Sequence, residues 1–116
     1  MQPDERDAAR LWDMLTYARE IRQTVSGATF EHYMADDNLR PATERRLEII
    51  GEAARNVSRT LQDAHPQIPW RQIIGLRHVM AHEYGDIGHE RVFRVAADSI
   101  PALIAALETL VPQPPS

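Results

Sequence analysis

The sequence predicts an all-α fold, an antiparallel bundle of four to five helices, on three observations. Apolar residues recur at three- and four-residue steps over most of the chain; no segment shows the two-residue alternation of a half-buried strand; and prolines and glycines divide the pattern into rods joined by short connections. A chain of 116 residues is one domain by size, and 43% hydrophobic with 26% charged residues belongs to the globular class. Residues 1–111 are read as that domain and Pro112 to Ser116, PQPPS, as a frayed proline-rich tail.

Pro3, Asp4 and Glu5 open the first helix, since proline is tolerated in a first turn and acids complement the N-terminal dipole. Ala8, Leu11, Trp12, Leu15, Ala18, Arg22 and Val25 recur at three- and four-residue steps with Ile21 alongside, and Gly27 is placed to close the helix. Thr29 to Ala35 is read as one or two turns. A long helix is then expected from about Asp37 to Ala64, with Leu39, Leu47, Ile50, Ala54, Val57 and Leu61 as its spine. Gly51 within it costs up to ~1 kcal/mol relative to alanine, so a second helix is expected to cross closely there.

His65 to Pro69 is a proline-bracketed linker, and Pro69-Trp70 opens the next helix. Gly85 to Gly88 is expected to be a turn, after which His89 to Val111 reads as a last helix that Pro101 kinks or restarts. Trp12, Trp70 and Phe93 are assigned to the core.

Composition excludes several classes of function. The chain has no cysteine, which removes disulfides, thiol nucleophiles and thiolate metal sites. No apolar run approaches the ~20 residues of a spanning helix, and the acidic start is unlike a signal peptide, so a cytoplasmic protein without membrane contact is expected. A net charge of −4 argues against a broadly basic phosphate-binding surface. All 13 basic residues are arginine, which genome-wide compositional bias explains more readily than phosphate recognition.

The chemistry concentrates between Gly75 and Gly85, GLRHVMAHEYG, where Arg77, His78, His82, Glu83 and Tyr84 follow the apolar Ile73, Ile74 and Leu76. That conflict between local rules marks a functional site. At ~100° per residue, Arg77 and Tyr84 project about 20° apart, whereas His82 lies about 140° from Arg77 and close to His78. Arg77 and His82 can serve one ligand if the helix end unwinds near Gly85, or if a second copy supplies the missing group across a symmetric interface. The second arrangement is favoured.

An arginine and a histidine suffice for metal-free cleavage of RNA. Histidine relays the proton of the 2′-hydroxyl or of the leaving oxygen, and arginine stabilises charge on the phosphoryl oxygens. Other readings of the same residues stay open at this point. The spacing recurs by chance in helical proteins; His78 and His82 are also a potential pair of metal ligands, with Glu83 or His89 nearby; and Tyr84 is also read as an amphipathic residue at a helix end.

The order Arg77-His78-Val79-Met80-Ala81-His82-Glu83-Tyr84 resembles the motif of HepT-like proteins of the HEPN superfamily, toxins of the HEPN/MNT (type VII) toxin–antitoxin systems. ERRLEIIGEAARNVS at Glu44 to Ser58, IPWRQIIGLRH at Ile68 to His78 and DSIPAL at Asp98 to Leu103 are similar to the same family in the same order. The resemblance implies a HEPN-like bundle that forms a homodimer, and a metal-independent ribonuclease, without cofactor, that cleaves tRNA or mRNA. It implies Arg77 and His82 as the catalytic pair, His78 as the supporting polar position and Tyr84 as the tyrosine that a partner MNT-type nucleotidyltransferase antitoxin modifies with AMP. Glu52 resembles a position close to the cleft. Given the net negative charge, the RNA site is expected to be narrow, with Arg45, Arg46 and Arg71 as unplaced contributors. The alternative is a non-catalytic helical dimer that binds a nucleotide or the transferase through the same cleft.

Overall fold

Asp4 begins the fold as the sequence suggests. Its carboxylate accepts the Asp7 amide at 2.8 Å and caps helix α1, Glu5–Val25. The computed structural model describes residues 3–82 and 85–111. Beyond α1 the helices are α2, Phe30–Ala35; α3, Leu39–Arg55; α4, Arg59–Ala64; α5, Trp70–His82; α6, Gly85–Arg94; and α7, Ile100–Glu108, with a π-helical turn, Val95–Ser99, joining the last two. No strand occurs among the described residues.

α1 and α3 run antiparallel. Asp7, near the start of α1, bonds to Ser58 beyond the end of α3, while Glu20, late in α1, pairs with Arg46 early in α3 at 3.3 Å. α5 packs on the other flank of α3, and α7 returns along α1, where Arg19 meets Glu108 at 2.9 Å. Leu11, Met14, Leu15, Ala18 and Ile21 of α1 meet Leu47, Ile50 and Ala54 of α3, Ile73 and Leu76 of α5, and Leu103, Ile104 and Leu107 of α7 in one buried cluster. Trp70 is buried, whereas Trp12 and Phe93 are half-buried against that cluster. Phe93 also closes on Tyr33 of α2, ring centres 5.1 Å apart. Gly27 takes a φ of 80° just past α1, the left-handed position that glycine fills without steric cost.

Gly51 marks the close crossing that its place in the helix suggests. A Cβ built there lies 3.0 Å from the backbone carbonyl oxygen of Ile73, so α3 and α5 touch along a glycine. Gly51→Val is therefore expected to lower stability by about 1–3 kcal/mol, the range for overpacking a close-packed interior. The measure is the urea midpoint; a midpoint at or above the wild-type value would mean that the helices separate freely.

Two boundaries differ from expectation. The long helix foreseen from Asp37 to Ala64 breaks at residues 56–58 into α3 and α4. The break has a polar cause: Ser58 Oγ accepts the Leu61 amide at 3.2 Å, capping α4, while the Ser58 amide and hydroxyl both donate to the buried Asp7 carboxylate at 2.8 and 2.6 Å. These bonds outweigh the continuation of helical hydrogen bonding through Asn56 and Val57. Gly85 to Gly88, expected as a turn, form the first turn of α6. Gly88 and Val92 are buried, so packing overrides the weak propensity of glycine there. The last helix is not continuous, and the restart falls at Pro101 as foreseen. The Ile100 amide reaches back to the Val95 carbonyl, a π-type step directly before Pro101, which sits in the first turn of α7 and needs no amide donor. The tail Pro112 to Ser116 lies outside the described residues.

Candidate RNA-cleavage site

Helix α5 resolves the conflict in the central stretch by dividing its faces. Ile73 and Leu76 are buried, while Arg77, His78 and His82 are exposed. The helix holds through His82, so the separation of about 140° between Arg77 and His82 stands within one copy. His78 and His82 lie together, ring centres 4.4 Å apart and planes inclined by 43°. Tyr84, together with Glu83, lies outside the described residues.

Arg77 looks into an open depression of about 300 Å³ where α1, α3 and α5 meet. α1 contributes Arg10 and Asp13; α3 contributes a stripe at three- and four-residue steps, Arg45, Glu48, Glu52 and Asn56. Glu52 therefore shares a depression with Arg77. Its carboxylate takes a hydrogen bond from Arg55 at 2.8 Å and a longer one from the Asn56 amide at 3.4 Å. The Arg55 hydrogen bond first, then the charges of Arg55 and Arg77 and the Asn56 contact, hold Glu52 below the usual glutamate range, with burial opposing. Its negative charge therefore persists below the pH at which a free glutamate protonates, and is lost only as pH falls through the lowered value.

The three arginines left unplaced by the sequence go to three environments. Arg45 lines the Arg77 depression and pairs with Glu48 at 3.2 Å. Arg46 is engaged by Glu20. Arg71 lines a separate open groove of about 900 Å³ with Arg59, Trp70 and Ile74. Arg10, Asp13 and Asn56 are not among the site residues to which the sequence points. The stripe through Arg45, Glu48, Glu52 and Asn56 was legible at helical spacing, but its meeting with α1 was not, because it depends on the tertiary crossing.

His78 and His82 offer two imidazoles side by side, yet among the described residues no third histidine, aspartate or glutamate gathers with them as a ligand set. His89, considered above as a neighbour, turns instead to Glu44 of α3, Nδ1 to Oε1 3.4 Å. No helix among the described residues is long and apolar enough to cross a membrane.

Comparison with known proteins gives a consistent family. A protein of Thermococcus cleftensis named "Probable ribonuclease HepT" is 33% identical over 90 residues, 78% of this chain and 82% of the relative. A Caldanaerobacter subterraneus protein named "Putative RNase" is 35% identical over 70% of this chain and 72% of its own length. A Methanocaldococcus jannaschii protein, also named "Putative RNase", is 27% identical over 86% of this chain and 92% of its own. No solved structure matches. The model of the family described as "Ribonuclease HepT-like" matches residues 14–110, which include α3, α5 and the whole Arg77-to-Tyr84 motif. With most of its length matched, this chain belongs to the ribonuclease HepT-like family.

Proposed function

We propose that the protein is a metal-independent endoribonuclease toxin that cleaves tRNA or mRNA as a homodimer. Arg77 is the group that stabilises phosphoryl charge, His82 the proton relay, and His78 the neighbour that holds the His82 ring in place. One observation carries this reading: α5 keeps its helical course through both residues, with Arg77 in a depression shared with Glu52 and His82 beside His78 on another face. Groups so divided act on one phosphate when a second copy brings its own α5 across a two-fold axis. RNA supplies the nucleophile as its 2′-hydroxyl, so the chain needs none.

A cognate MNT-type nucleotidyltransferase is the partner in this reading, and AMP attached to Tyr84 is the means of neutralisation. The modification adds phosphate charge and an adenosine within two residues of His82 in sequence, where they compete with RNA for the same cleft.

The test is cleavage of tRNA and mRNA in EDTA by protein expressed alone and with the transferase, with intact mass recorded for both samples. Cleavage by the first sample, and loss of cleavage with added AMP in the second, is the expected result. Arg77→Ala and His82→Ala are each expected to slow cleavage by about 10²–10⁴-fold while the fold is retained. Loss of activity in EDTA would sink metal independence. A folded dimer that never cleaves RNA would instead identify a nucleotide- or transferase-binding module.

A further inference from the structure

The charge pattern of the Arg77 depression is unlike that of a phosphate track. Three arginines and three carboxylates line it, so its formal charge cancels, and carboxylates repel a phosphodiester. Carboxylates accept hydrogen bonds from the amino and imino groups of a base. Two of the three are already engaged, Glu48 by Arg45 at 3.2 Å and Glu52 by Arg55 at 2.8 Å. Asp13 and Arg10 are not: among the described residues neither side chain makes a hydrogen bond or ion pair. They stand one turn apart on α1, at the edge of the depression, and both are exposed.

We propose that this depression is a subsite for one guanine of single-stranded RNA, with Asp13 and Arg10 as its specificity-determining residues. Guanine presents two adjacent acceptors, O6 and N7, which match an arginine fork, and on the adjoining edge two adjacent donors, the N1 and N2 protons, which match a carboxylate. No other base offers both pairs. Adenine and cytosine present one amino group beside a ring acceptor, and uracil a single imino proton between two carbonyls. The depression, about 300 Å³, stands at the lower end of the ~300–1,000 Å³ typical of sites for small organic ligands. Unstacked bases of single-stranded RNA are read on their edges in such sites. Arg77 lines the same depression and takes the phosphate next to the bound base. The inference rests on the RNA-acting reading and adds a base preference to it.

The experiment measures binding of labelled, uncleavable 2′-O-methyl uridine heptamers whose central base is guanine, adenine, cytosine or uracil. Wild-type protein is expected to bind the guanine heptamer about tenfold or more tightly than the uracil one. Asp13→Asn and Arg10→Gln are each expected to bring that ratio towards one, with thermal unfolding as the check on the fold. Equal affinity for all four heptamers, no binding to any, or a guanine preference that survives both substitutions overturns the proposal. A parallel assay of cleavage on all-ribose RNA separates the two readings. Guanine preference without cleavage removes the ribonuclease reading alone, and cleavage without base preference removes the subsite alone.

Discussion

Mixed chains of Arg77→Ala and His82→Ala are expected to regain cleavage that neither variant has alone. Both residues lie within helix α5, and on a regular helix their side chains leave the axis about 140° apart. Arg77 is committed to the depression it shares with α1 and α3, and the His82 ring to His78. A two-fold axis that sets α5 against its copy gives each of two sites an arginine from one chain and a histidine from the other. A homodimer of either variant then has two broken sites, and its rate falls by about 10²–10⁴-fold. Random reassortment makes half of the dimers mixed, each with one intact site and one that lacks both groups, so activity should return to about a quarter of the wild-type value. If each chain carries its own complete site, every site in the mixture lacks one group and nothing is regained. Native mass spectrometry of the mixture shows whether heterodimers formed, so the absence of recovery in their presence rejects a shared site.

Repeating local signals were legible in the sequence, and signals that depend on distant partners were not. The apolar sides of α1 and α3, the glycine at the α3–α5 crossing and the restart at Pro101 each follow from periodicity or from what one residue does to its own backbone. The division of α5 into an arginine face and a histidine face followed from helical arithmetic. The break at residues 56–58 did not, because Ser58 has neither glycine's nor proline's strength as a breaker. Its effect comes from Asp7, 51 residues earlier in the chain. Arg10 and Asp13 were missed for the same reason: on α1 alone they read as ordinary solvent-facing charges, and only the crossing of α1, α3 and α5 makes them the edge of a depression. The turn expected at Gly85 to Gly88 failed in the opposite way, since local glycine content suggested a stop that packing around Gly88 and Val92 overrides.

That bond between distant segments carries the largest expected stability change. Asp7→Ala should cost about 2–4 kcal/mol, a large share of the ~5–15 kcal/mol that holds a domain together. Asp7 is only 5% exposed, and its two oxygens accept separate donors from Ser58, the amide at 2.8 Å and the hydroxyl at 2.6 Å. Hydrogen bonds to a charged acceptor contribute about 1.5–3 kcal/mol each, and both Ser58 donors lose their partner in the alanine variant. The loss should also propagate. Ser58 Oγ, held by Asp7, is the group that caps α4 through the Leu61 amide, so without it the break between α3 and α4 is less firmly fixed. Asp7→Asn keeps an acceptor for the amide but only as a neutral group, and should fall between wild type and alanine. Ser58→Ala removes the hydroxyl and the cap while the backbone amide still reaches Asp7, for about 1–2 kcal/mol. The double variant Asp7→Ala/Ser58→Ala separates the pair from its surroundings: a coupling of about 1 kcal/mol or more in denaturant unfolding is expected for side chains in one network. Additive effects, with Asp7→Ala costing under ~0.5 kcal/mol, would mean that the cap on α4 stands alone and that α1 is held to α3 by apolar packing only.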